Sequence, residues 1–375
     1  MTPDPLDHWG RDRSIDGLRV GALLAVVSGH WLVTAVVVDD YGMSVDSPLR
    51  RLPSLAPLTW ALQALAPLFC AAGFAAARSL QKRPGWRPWL VTRAGALLAA
   101  TGTLVAFWSV LLGVLLLGGL PLASLQTIGK LVVSPLWFLA VLAVLSAAWP
   151  ALDGLDRQLR GYAVLPPAAV VGLDDLARYG GLPIPDPVLS VLAPAALVCA
   201  WAVPFLFGIR LARGGGPRRV GGLAMLLTGL GALAALIMVA GYPAGAVGVT
   251  GETRSNLGPP SLLVLALAAV QLGLFVLVRP RRAAGPPGRI LAVLNAVALP
   301  VFLWHQNALL LLVIAAAELL PVEGLVGVPD SPSWVLLRLA WFLVLAVVLY
   351  GLVRLMATPL AGEGDSAVRP IRRQG

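Results

Sequence analysis

Charge is what this chain has least of. Only 12% of its 375 residues are Asp, Glu, Lys or Arg, against 58% that are hydrophobic, and the mean hydropathy is +0.84. A composition so poor in charge excludes a soluble domain of this length; long apolar runs describe a polytopic helical membrane protein. Alternation of apolar and polar residues is also missing, which excludes a transmembrane β-barrel. The two cysteines, Cys70 and Cys199, both fall inside apolar runs, so no disulfide is expected. The three histidines are widely spaced, and no metal site is expected from them. The His-x-x-x-x-Asp acyltransferase motif is absent: Ala35 stands five residues after His30, and Leu310 five after His305. No Gly-x-Ser-x-Gly elbow and no P-loop occurs, which argues against a serine hydrolase and against ATP-driven transport. The opening MTPDPLDHWGRDR holds no apolar core before a cleavage site, so a cleaved leader is not expected.

The charge that is present is lopsided: 28 Lys and Arg against 18 Asp and Glu, a net +10. Nucleic acid is not the implied partner, because the basic residues sit in short loops between apolar runs, the positive-inside pattern of membrane proteins. Ten runs can be drawn, roughly 17–38, 56–79, 90–118, 134–151, 161–173, 188–210, 220–241, 260–279, 289–317 and 334–357. With the N-terminus inside, only Arg50, Arg51, Lys130, Arg178, Arg254 and Arg338 fall on the outer side. This bias predicts ten crossings with both ends in the cytoplasm. The fifth run is short and holds Pro166 and Pro167, so it reads as a broken or re-entrant segment; without it the basic clusters at 210–219 and 279–289 would lie outside. The expected fold is therefore all-α: one transmembrane domain over 1–360, followed by a disordered cytoplasmic tail over 361–375. No internal repeat is visible, and oligomeric state is not readable. The abundance of Ala, Gly, Val, Leu and Arg suggests a GC-rich bacterial genome and hence a plasma membrane, among whose lipids the chain would sit.

The first run carries the densest chemistry. Asp16 and Arg19 are three residues apart, on one helix face, where they can pair. Arg19 and His30 are separated by about three turns and roughly 16 Å along the axis, so they point to nearly the same side. An imidazole inside a membrane is a functional candidate. The alternative is an arginine at the headgroups and a histidine hydrogen-bonded within the bundle. Asp16-x-x-Arg19, ten residues, then His30 resembles the first helix of the acyltransferase-3 family, multi-pass membrane proteins that transfer acyl groups, often acetyl, onto extracytoplasmic sugars and related acceptors.

Further segments are similar to that family. Pro67, Phe69, Gly73 and Phe74 resemble its Phe-rich, Gly-aromatic segment, although small-residue helix packing also explains Gly73. The loop RSLQKRPGWRPWLVTR carries Arg78, Lys82, Arg83, Arg87 and Arg93, cations suited either to coenzyme A phosphates or to topology and anionic lipid. Many members have Arg-x-x-Arg at the start of the third span; the matching Arg93-Ala94-Gly95-Ala96 keeps only the first arginine. Trp137 and Phe138 look like the family's LWFL segment, or an interfacial anchor. TRSNLGPPSLL resembles bacterial members, with Arg254 and Asn256 placed to meet an acceptor sugar. His305 lies roughly 24 Å in from Arg289 by helix rise, at a depth near that of His30, within a polar belt of Trp304, Gln306 and Asn307; the family often has a histidine there.

The resemblance implies an O-acyltransferase, with acetyl-CoA or another acyl-CoA as the cytoplasmic donor and no permanently bound cofactor. The acceptor would be an extracytoplasmic carbohydrate, a lipid-linked glycan or a secreted small molecule. In that reading Arg19, oriented by Asp16, holds donor phosphates together with Arg93 and the loop arginines Arg78, Arg83 and Arg87. His30 is the general base or a transient acyl carrier, its ordinary pKa lying near neutrality. His305, Asn256 and Trp137 contact the acceptor. A permease or lipid-linked glycan flippase is the competing class, since buried histidines serve proton relays equally well.

Overall fold

The computed structural model describes residues 12–82, 85–180, 184–249, 254–280, 288–317 and 322–361. The expected tail beyond 361 and Arg83 lie outside them.

The first helix, α1 (Arg13–Val33), starts where Asp12 accepts hydrogen bonds from the Ser14 and Ile15 amides, a side-chain N-cap. Asp16 adds a negative charge to its first turn, where the helix dipole favours one. The helix was expected to run to residue 38, but it stops at Val33. After Thr34 the β-branched run enters a strand, β1 (Ala35–Asp39), paired antiparallel with β2 (Gly42–Asp46). Three consecutive valines favour a pleated strand over a helix, and Gly42, at φ 117°, supplies the turn conformation that other residues avoid. The hairpin is pinned to the bundle by the Met43 amide donating to Ser124 Oγ at 2.9 Å. The all-α expectation thus holds for the bundle and misses this small sheet.

Several expected spans are broken helices. After a short α2 (Pro48–Arg51), the second comprises α3 (Leu58–Leu62) and α4 (Leu65–Gln81), with Gln63 at the gap before α4. Next come α5 (Trp86–Leu117), α6 (Leu122–Val133), α7 (Leu136–Ala147) and α8 (Trp149–Leu159). The weak fifth run is a 3-10 turn leading into α9 (Leu165–Tyr179), with Pro166 and Pro167 in its first turn, where proline costs no hydrogen bond. At roughly 22 Å, α9 is shorter than the hydrocarbon core of a bilayer, and its last turns bury Asp174 and Asp175 beside Arg178. The chain continues through α10 (Asp186–Ala212), α11 (Arg219–Met238), α12 (Leu262–Val278), α13 (Arg289–Ala296), α14 (Ala298–Ala317) and α15 (Pro332–Ala361). Among the described residues eight helices or helix pairs are long and apolar enough to cross a membrane; α12 is apolar but shorter, and α9 is not among them.

Helix α4 packs against α10 at very short range. A Cβ placed on Gly73 would meet the Phe205 carbonyl oxygen at 2.0 Å, and one on Gly208 would meet the Cys70 carbonyl oxygen at 2.0 Å. Glycine on both sides is what lets these backbones approach. Gly73 therefore serves a helix crossing.

The charge pattern counts Arg338 on the outer side of the membrane and says nothing of its packing. Arg338 lies fully buried on α15, where it donates to the carbonyls of Thr34 (3.0 Å) and Leu325 (3.4 Å) and packs over Trp334. A guanidinium inside the bundle thereby fixes the backbone where α1 passes into the hairpin.

Candidate active site

Two cavities open along α1, one at each end of its polar stripe. The inner one, about 120 Å³, is lined by Arg19 and Leu23 of α1, small side chains of α4, Arg93 of α5, and Phe138 and Phe302. Helical periodicity explains the gathering of cations: Arg19 faces α4, where Ala71, Ala72 and Ala75 leave room, and Arg93 reaches the same space from α5. Arg93 lies over the Trp89 ring, 5.4 Å from its centroid, and the Trp89 indole in turn donates to Ser79 Oγ at 3.1 Å. Two guanidiniums in one cavity make a binding place for anionic oxygens.

The outer cavity, about 270 Å³, is lined by His30 and Thr34 of α1, Thr59 and Gln63 at the α3–α4 break, Ser134, Trp137, Val247, Gly248 and Leu257, again with Phe138 and Phe302. Those two phenylalanines are common to both cavities. Their rings stand 4.6 Å apart and form the partition between a chamber with two cations and a chamber with an imidazole.

His30 is half-buried, its ring open to the outer cavity. His305 stands behind it, fully buried, with ring centroids 5.1 Å apart. His305 Nδ1 is 2.6 Å from the Phe302 carbonyl oxygen; a carbonyl accepts, so Nδ1 carries the proton and Nε2 keeps its lone pair. Two bonds set the relation between α1 and α14: the Trp31 indole donates to the His305 carbonyl at 2.8 Å, and the Gln306 amide donates to Thr34 Oγ1 at 3.2 Å. The Trp304–Asn307 stretch is buried in the bundle.

The structure thus brings together Arg19 with Arg93, and His30 with His305 and, across the outer cavity, Trp137. The other expected site residues lie elsewhere. Asp16 is one turn before Arg19 but does not line either cavity; its carbonyl accepts from Asn295 at 3.3 Å. Arg78 ends α4 with Nη1 3.4 Å from Gln81 Oε1, Arg87 is exposed at the start of α5, and neither reaches the inner cavity. Asn256 is buried and its side chain is fully engaged: its amide donates to the Pro243 and Gly245 carbonyls, and its carbonyl accepts from Ser261 Oγ. It shapes the loop behind the outer cavity without facing it. Arg254 lies over the rings of Tyr179 and Tyr242, whose phenol is raised by burial and by its hydrogen bond to Asp175.

Sequence reasoning missed Gln63. It is 5% exposed, lines the outer cavity, and its Nε2 is buried with no hydrogen-bond acceptor among the described residues. A buried amide donor without a partner beside a cavity is a contact held ready for a ligand oxygen. The available signal was a lone amide inside an apolar run.

A bundle of long apolar helices around a divided polar interior defines a membrane protein whose site lies within its transmembrane region. The chain belongs to the acyltransferase-3 family: that family's acyltransferase domain matches residues 12–356, nearly its whole length, and the protein is an acyltransferase. No curated protein and no solved structure matches it.

Proposed function

We propose that the protein moves an acyl group, in the first instance acetyl, from cytoplasmic acyl-CoA to a hydroxyl of an extracytoplasmic glycan, glycolipid or secreted small molecule. The observation that carries this reading is the division of the site. Arg19 and Arg93 share one cavity, His30 faces the next, and only Phe138 and Phe302 line both. The guanidiniums hold donor phosphates at the inner mouth, and the thioester end reaches the aromatic partition. On the far side, neutral His30 takes the proton of the acceptor hydroxyl. The alkoxide oxygen attacks the thioester carbonyl, the carbon–sulfur bond breaks, and the departing thiolate of coenzyme A is protonated by the imidazolium. His305 supports the His30 ring, and the Gln63 amide donates to an acceptor oxygen or to the developing oxyanion. A variant of the route passes through acyl-His30; it predicts donor turnover or labelled protein without acceptor, which direct transfer does not.

The positive-inside bias supports ten crossings with both ends cytoplasmic, the shorter α9 and α12 counted as two of them, which orients the Arg19 end toward the donor; the composition fits a bacterial plasma membrane.

The test uses inverted membrane vesicles holding wild type or His30→Ala, given labelled acetyl-CoA. Label that enters membrane or luminal material with wild type and vanishes with the variant supports the reading, and the labelled product names the acceptor. Background labelling from both, together with no acetyl-CoA affinity by calorimetry, overturns the acetyl-CoA donor.

A further inference from the structure

On the face of α1 turned away from the Arg19–His30 cavities runs an apolar groove of about 710 Å³, walled by α1 and α12 and floored at the α3–α4 break. On α1 it extends from Ser14 to Ala25, roughly 16 Å of helix rise, which is about half the hydrocarbon thickness of a bilayer. Its length is that of one leaflet. Two glycines keep it open, since a Cβ on Gly17 or on Gly21 would meet nothing within 4 Å.

At the end near Asp12 the groove meets a second recess, about 570 Å³, at Arg279 and Pro280, which line both. This recess is lined by Asp12, Arg218, Arg219 and Arg279. Asp12 is matched already: it pairs with Arg279 and caps α1. Arg218 and Arg219 are exposed, and among the described residues neither has a carboxylate partner. They stand at the N-terminus of α11, which has no side-chain cap and where the helix dipole adds to their positive charge. An apolar slot one leaflet deep, ending at two arginines without a carboxylate partner among the described residues, complements the shape and charge of one anionic lipid molecule.

We infer that the α1–α12 groove is a binding site for a single anionic phospholipid, its acyl chains along Gly17 and Gly21 and its phosphodiester at Arg218 and Arg219. This site is separate from the proposed acyl transfer and does not depend on it. A zwitterionic lipid of equal chain length fills the groove but gains less at the basic recess.

Native mass spectrometry of the detergent-solubilised protein, given equal amounts of phosphatidylglycerol and phosphatidylcholine with identical chains, tests it. Wild type should retain one phosphatidylglycerol in preference. Arg218→Gln with Arg219→Gln should lower phosphatidylglycerol retention about fivefold per arginine and leave phosphatidylcholine unchanged. Gly21→Leu should reduce retention of both lipids by about tenfold or more, because the new side chain occupies the groove. Gly102→Leu, at an exposed α5 position with equal open space, should change neither. Equal retention of the two lipids by wild type overturns the inference, as does full retention by a Gly21→Leu protein that unfolds at the wild-type temperature. If Gly21→Leu does not fold, the arginine variant decides alone: an unchanged lipid preference overturns the site.

Discussion

The inner cavity is walled by residues within continuous helices, whereas the outer one is assembled where helices break. Arg19, the α4 alanines and Arg93 each hold their place by helical period alone. Thr34, Gln63 and Ser134, by contrast, sit at an end or a gap of α1, α3 and α6, and Val247, Gly248 and Leu257, outside any helix, line the same chamber. An unbroken helix has its backbone groups satisfied and can offer only side chains. A break inside the bundle frees backbone and brings polar side chains to membrane depth, which is tolerated where it lines a cavity. The inner chamber is thus suited to hold charge at fixed points and the outer one to make hydrogen bonds around a hydroxyl-bearing ligand.

Substitutions can break this contrast or sharpen it. His30→Ala should have the largest effect, a loss of transfer on the order of 10²–10⁴-fold, with the amount of folded protein unchanged, read from labelled product per protein. Arg93→Gln should act on the other chamber only: a rise of about 10–100-fold in the donor concentration needed for half-maximal rate, with acceptor dependence unaltered. A shift in both would mean that the partition does not separate the two substrates. Gln63→Leu should do the converse, raising acceptor KM by about tenfold while donor affinity by calorimetry stays at wild type. The smallest effect belongs to Arg87→Gln. This exposed arginine in the first turn of α5 should change donor affinity by less than about twofold, and a loss matching that of Arg93→Gln would move the donor site out to the exposed end of α5.

The same contrast explains what the sequence disclosed. Spacing along one helix was enough to pair Arg19 with His30 on a shared stripe, and helix rise from Arg289 was enough to bring His305 to the depth of His30, now seen at 5.1 Å. Arg93 was reachable because it sits in a long unbroken α5. Gln63, Thr59 and Ser134 were not, because they meet only through gaps whose positions no hydrophobic run reveals. The hairpin was hidden for a related reason: three valines after Thr34 read as membrane helix by hydropathy and as strand by side-chain shape. Asn256 illustrates a different limit. The resemblance of its segment put it forward as an acceptor contact, yet its partners are the carbonyls of Pro243 and Gly245. Arg338 shows the same limit: the charge count gave it a membrane side, and only packing shows it buried against the Thr34 and Leu325 carbonyls.

The Trp31 bond to the His305 carbonyl has a mechanical consequence. A donor on the residue after one histidine grips the backbone of the other, so the linkage acts as a tie rod between α1 and α14. Phe302 belongs to α14 and lies one turn from His305, whereas Phe138 belongs to α7. Sliding α7 against the tied pair would part the two phenylalanines while the imidazoles kept their spacing, so the passage between chambers can widen without dismantling the chemistry beside it.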